Sequence, residues 1–161
     1  MDRLRAAIAR YGSLDGVIVD VGVQSVDGAT PKEAREAVAS GRQPTLAEVA
    51  AANEFGVPTQ GVPARPFLRE SGKQYRARWV GLFRTAVKRT VERADESGFR
   101  VLGVATVSDV KAKLTSGPWE PNAPLTVERK GSDRPLIDTG QLRNSIRAAV
   151  RVPGSPSVLV G

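Results

Sequence analysis

GVIVDVGVQ, residues 16–24, decides the fold. Val17, Val19, Val21 and Val23 fall on one face, and Ile18, Asp20, Gly22 and Gln24 on the other. A period of two with β-branched residues on one side describes a half-buried strand. Further strand character lies at the C-terminus. Residues 146–152, IRAAVRV, alternate weakly, Pro153-Gly154 turns the chain, and Ser157 to Val160 supply a last short strand. A hairpin over 146–160 is therefore predicted to pair with strand 16–24.

Most of what lies between reads as helix. Over 2–11, Leu4, Ala7, Ile8 and Tyr11 have helical spacing, and Gly12 suits the cap that follows. Asp27-Gly28 makes a turn. Thr30 with Glu33, and Thr45 with Glu48, have capping-box spacing, which predicts helices over 31–39 and 46–54. Residues 57–66, VPTQGVPARP, contain three prolines and one glycine. A residue before proline is pushed out of the α region, so this reads as a stiff, extended connector. Pro66 starts the longest helix, with Tyr75, Trp79, Leu82, Phe83, Ala86, Val87 and Val91 as its apolar stripe. Asp95-Glu96-Ser97-Gly98 ends it. A further helix spans roughly 99–115, although Val101, Val104, Thr106 and Val107 leave a strand open for 100–107. Ser116-Gly117-Pro118 stops it. Asp138 stands in capping relation to Gln141, predicting a short helix over 139–145. The expectation is one α+β domain over 1–161: a small, mostly antiparallel sheet packed on a long basic helix and shorter helices.

A chain of 161 residues can bury about 68–70% of its unfolded surface, enough for a core without staples. It has no cysteine and no histidine. Disulfides, thiolate zinc sites, cysteine nucleophiles and the commonest general base are thereby excluded. No apolar run is long enough for a membrane span, and the N-terminus lacks a signal-peptide core. No cofactor is expected. The formal net charge is +7, and Arg65 to Arg93 alone hold nine Lys or Arg against Glu70 and Glu92. Lys73, Arg76, Arg84, Lys88 and Arg89 are the candidate contacts to DNA or to an acidic surface.

The irregular stretch 118–146, PWEPNAPLTVERKGSDRPLIDTGQLRNSI, holds four prolines, and apolar residues such as Trp119, Leu136 and Leu142 to pin it. Within it, Leu136-Ile137-Asp138-Thr139-Gly140 has the form of an aspartic-protease loop, in which paired aspartates share a proton. Only 21 residues follow Gly140, however, and they begin as helix. Asp138 or Thr139 is better read as a helix cap.

Several motifs occur in order: Asn53-Glu54-Phe55-Gly56; Pro63-Ala64-Arg65-Pro66-Phe67-Leu68; Pro121-Asn122-Ala123-Pro124-Leu125-Thr126; Arg129-Lys130-Gly131; and Pro135 to Leu142. This series resembles the neck or tail-completion proteins of tailed bacteriophages. The resemblance spans roughly 14–152; residues 27–44 are longer and more helical than that pattern. It implies a non-enzymatic virion subunit at the head–tail junction, made in the host cytoplasm. Its partners would be other copies in a ring, neighbouring connector, terminator or tail proteins, and packaged double-stranded DNA in the channel. Interface residues on this reading are Glu54, Phe55, Gly56, Pro63, Arg65, Pro66, Phe67, Asn122, Lys130, Pro135, Leu136, Asp138, Thr139, Gly140 and Leu142. Proline-rich arms at 57–66 and 118–137 would dock on neighbours. The alternatives are a tail terminator or minor tail component and, in another class, a small basic non-specific DNA-binding protein.

Overall fold

The computed structural model describes residues 2–12, 14–24, 31–122, 128 and 140–161. Among them the chain runs α1 (Asp2–Gly12), β1 (Ile18–Val23), α2 (Pro31–Ser40), α3 (Leu46–Phe55), a 3-10 turn (Pro58–Gln60), α4 (Phe67–Arg93), α5 (Ser97–Ser116), α6 (Gln141–Ser145), β2 (Ile146–Arg151) and β3 (Val158–Val160). The architecture is α+β. The turn expected at Asp27-Gly28 and the cap at Thr30 lie outside the described residues.

The chain divides into two compact units. The first takes residues 1–22, 73–109 and 147–161; the second takes 23–72 and 110–146. Of the four boundaries two fall inside long helices, between Gly72 and Lys73 in α4 and between Asp109 and Val110 in α5, and two inside strands, between Gly22 and Val23 in β1 and between Ile146 and Arg147 in β2.

In the first unit the sheet has the order β1-β2-β3. β2 and β3 are antiparallel, with Ala148 opposite Val160 and Val150 opposite Val158. Val17, Val19, Val150, Val152 and Val160 pack on Ala86 and Val87 of α4 and on Phe99 of α5. The first half of the valine face predicted for 16–24, Val17 and Val19, therefore meets the long basic helix. On the other face of β1, Asp20 pairs with Arg151.

Residues 100–107 are helical, which decides between the two alternatives. Phe99, Leu102, Gly103, Thr106, Val107 and Val110 are buried, a spacing that only a 3.6-residue period produces. Val101 and Val104 remain 54% and 52% exposed, so two of the four β-branched residues that suggested a strand lie off the core face, and Thr106 and Val107 lie on it at helical spacing. Two glycines let α5 lie close to its neighbours. A Cβ on Gly98 would stand 2.8 Å from Ala86 Cα, and one on Gly103 would stand 2.7 Å from Val160 Cγ2.

In the second unit α3 packs against α2 and α6. One apolar cluster of the unit is made of small residues, Ala51, Ala52 and Val57, with Val38 and Val62 against them, while Phe67, Leu114 and Ile146 are its largest fully buried side chains. The capping box expected at the start of α3 is present: the Glu48 N–H donates to Thr45 Oγ1 at 3.3 Å, and the Thr45 N–H donates to Glu48 Oε2 at 2.8 Å. Arg42 also donates to this carboxylate, and with the Thr45 N–H it holds Glu48 down to about 2 from its ordinary 4.5.

The connector 57–66 is not extended. Val57 and Val62 exchange backbone hydrogen bonds of 2.8 and 3.1 Å around the 3-10 turn. Gly61, at φ 66, takes the left-handed conformation that reverses the chain. The prolines set local φ, but one glycine sets the overall path. The short helix near 139–145 exists, beginning at Gln141. Gly140 (φ 73) occupies its cap position without a side-chain cap bond. Gln141 is thus the first helical residue and not the third, and Asp138 and Thr139 lie outside the described residues.

Two neighbouring helices should answer the same substitution with opposite signs. Gly98→Ala is expected to cost about 1–3 kcal/mol by overpacking against backbone. Gly81→Ala in α4, where a Cβ meets nothing within 4 Å, should stabilise by up to about 1 kcal/mol. Urea midpoints of both variants check this.

Acid should weaken the fold. Glu48 falls from 4.5 to about 2 and Asp95 from 3.8 to about 2, the latter chiefly through bonds from the Ser97 hydroxyl and N–H. Groups with depressed folded values contribute stability that is complete above their unfolded values and drains as pH falls through the folded ones. Thermal melts should therefore drop between pH 4.5 and 2, less steeply in Glu48→Gln.

Candidate functional site

Arg65 is the most demanding residue of the second unit. A guanidinium carries five donors and stays charged, so burying it requires acceptors on several sides. It is only 5% exposed. Its Nε donates to the Glu120 carbonyl at 3.0 Å, and its terminal nitrogens donate to the Pro121 carbonyl at 3.2 Å, Asn122 Oδ1 at 3.1 Å and Asn53 Oδ1 at 3.2 Å. Its backbone N–H donates to the Asn53 carbonyl at 2.6 Å. Burial pushes the Arg65 pKa down, with the charge of Glu120 opposing. One side chain therefore ties the end of α3, the approach to α4 and residues 120–122.

Glu54, 4% exposed, makes the second tie. Its carboxylate accepts the Leu68 and Arg69 N–H groups at 2.9 and 3.0 Å, two of the donors that the start of α4 cannot satisfy internally. An anion there also suits the helix dipole. Arg69 Nε donates to the same carboxylate at 3.0 Å, and the guanidinium lies 5.2 Å above the Phe55 ring. Gly56 is at φ 72, and a Cβ there would stand 2.9 Å from Ala64 N, so only glycine fits this turn. Phe67 is fully buried. Further along, Trp119 Nε1 donates to the Leu114 carbonyl at 3.0 Å, folding the chain back on the end of α5.

The expected interface residues thus divide. Glu54, Gly56, Arg65, Phe67 and Leu142 are buried, and Pro63, Pro66, Asn122 and Gly140 are intermediate. Phe55 is 46% exposed beside them. Lys130, Pro135, Leu136, Asp138 and Thr139 lie outside the described residues. The two proline-rich segments are not separate features where they are described, because Arg65 bonds one to the other. Asn53 and Arg69 belong to this node but were not among the expected site residues. Asn53 adjoins Glu54 in a motif already noted; nothing local to Arg69 marks its partner.

The basic residues of α4 lie in the first unit from Lys73 onward. Lys73, Arg76, Arg84 and Lys88 are exposed. Arg89 pairs with Asp95, and Arg78 with Asp109, which also accepts Trp79 Nε1 at 2.8 Å. Lys88 stands 3.8 Å from Glu92, an exposed pair of little energetic weight. Among the described residues no acidic partner meets Arg76 or Arg84. Phe83, Arg84, Val87, Lys88 and Val91 line a groove of about 420 Å³.

Among the described residues no group of three or more acidic side chains could hold a metal ion, and no helix is long and apolar enough to cross a membrane. Comparison with protein-family models, curated proteins and solved structures finds no match to this chain.

Removing the Arg65 side chain strands acceptors from two segments, Asn53 and residues 120–122. Arg65→Ala should destabilise by about 3 kcal/mol. Arg65→Lys should recover only a minor part, since one ammonium cannot span both segments. Urea denaturation reads the size, and hydrogen exchange should show protection lost near 53 and 65. A wild-type midpoint for Arg65→Ala would refute this account.

Proposed function

We propose that this chain is a structural protein of a tailed-phage virion neck, completing the tail or joining head to tail within a multimeric ring. The observation that carries the reading is the convergence of three of its resembling motifs on one node. Residues 121–122 lie more than fifty positions from 53–56 and 63–68, yet Arg65 and Glu54 bond the three together. A motif series held by internal bonds has a reason to occur together in this order. The node surrounds its charges with backbone carbonyls and N–H groups, an arrangement suited to positioning segments and not to activating a nucleophile. Phe55, with Arg69 above it, gives the node an exposed aromatic edge for a neighbouring subunit.

Head-to-tail contacts close a ring when the rotation between subunits allows it. The chain acts on this reading by docking, in the virion and during assembly in the host. A second reading, a small basic DNA-binding protein, is favoured by Arg76 and Arg84, which meet no acidic partner among the described residues, and by the +7 net charge. It predicts a steep salt dependence for binding random duplex DNA and no rings.

Gold-labelled antibody against this chain should decorate the head–tail junction of particles released by a strain carrying its gene. Label at the tail tip, or none on particles, would overturn the reading. Replacing Asp138, Thr139 and Gly140 together by alanine should leave a folded monomer, by circular dichroism, that fails to join heads to tails. Normal infectious particles from that variant would count against it.

A further inference from the structure

We infer that the outer face of α4 around Phe83 and Arg84 docks an acidic segment of a neighbouring protein, one carrying a large apolar anchor. This deepens the assembly reading and rests on it only for the partner being a neighbouring subunit.

Phe83 and Val80 are each 39% exposed on a helix whose opposite side faces the core. With Val87 and Val91, Phe83 lines the groove of about 420 Å³. The Phe83 ring rests on Phe99, with centroids 5.7 Å apart, so one face is held and little ordering is needed on binding. An apolar groove of this kind is matched by an apolar side chain from outside.

Charge selects the occupant. Residues 73–93 hold seven Lys or Arg and a single acid, Glu92. Arg78 and Arg89 are already engaged with Asp109 and Asp95. Arg84 lines the groove and has no acidic partner among the described residues, and Lys88 beside it has only the long contact to Glu92. A carboxylate over Arg84 with an apolar side chain below it satisfies both features. A DNA backbone would meet Arg84 and Lys88 but leave Phe83, Val87 and Val91 in water. A second copy placed face to face would set Arg84 against like charge.

The test is selection from a displayed library of random linear peptides on the full chain, with counter-selection on Arg84→Glu. Enriched peptides are expected to be net negative with a Phe, Trp or Leu anchor. Fluorescence anisotropy with one labelled enriched peptide should show Phe83→Ser and Arg84→Glu each weakening binding about tenfold or more. Phe83→Ser should leave binding of random duplex DNA unchanged. If its thermal melt shows Phe83→Ser destabilised, the exposed Arg84→Glu variant alone decides. No enrichment, or enrichment of neutral or basic peptides, overturns the proposal. So does a wild-type dimer that Arg84→Glu dissociates, because a second copy would then own the face. Acidic peptides captured without label at the neck would refute only the neck reading. Label at the neck without acidic enrichment would refute only this docking site.

Discussion

The second unit depends on keeping the Arg65 guanidinium out of water. An arginine cannot shed its charge when buried, so its surroundings must supply acceptors in fixed directions. Here they come from the end of α3 and from residues 120–122. The acceptors are carbonyl and amide oxygens and not a carboxylate; each bond is charge-assisted by the guanidinium, but no opposite charge neutralises it, so the geometry of all of them together matters. Glu54 extends the same logic by one residue. Its carboxylate closes the first turn of α4, and so the direction in which the longest helix departs follows from where α3 ends. The apolar cluster beside α3 is alanine and valine, with little shape of its own. The buried Phe67 and the buried charges together specify the join.

Charge serves two purposes in this chain. Arg42, Arg65, Arg69, Arg78 and Arg89 are engaged by acceptors within their own unit. Arg76 and Arg84 are not, among the described residues, and Arg84 borders exposed apolar surface. An engaged arginine has already exchanged water for fixed acceptors and gains little from a newcomer. An unengaged one beside an apolar groove can gain twice, from its own charge and from the groove. This division separates residues that build the fold from those available to a partner, and total charge does not make it.

The readings that held were local. The strand 16–24 is visible because alternation is a property of consecutive residues, and the α3 capping box because both partners lie within four positions. The C-terminal hairpin follows from Pro153-Gly154 between two short runs. The connector 57–66 misled for a related reason: proline statistics describe single residues, whereas its path depends on one left-handed glycine. The ambiguity at 100–107 came from composition, and was resolved by which residues face the sheet. The two units left no linker to find, since each is assembled from separated segments and the divisions cut through helices and strands.

The order and kind of elements, the overall positive charge and the exclusion of histidine and cysteine chemistry were determined by the sequence alone, because they depend on residue type and short spacing. Which arginines are structural and which stand free was decided only by tertiary structure. Arg65 and Arg84 are alike as residues and lie on the same basic stretch. The first is surrounded by oxygens from positions more than fifty residues away, Glu120, Pro121 and Asn122, and the second by none among the described residues. Contacts at such separation leave no periodicity in the chain; they exist only once folding brings the acceptors together.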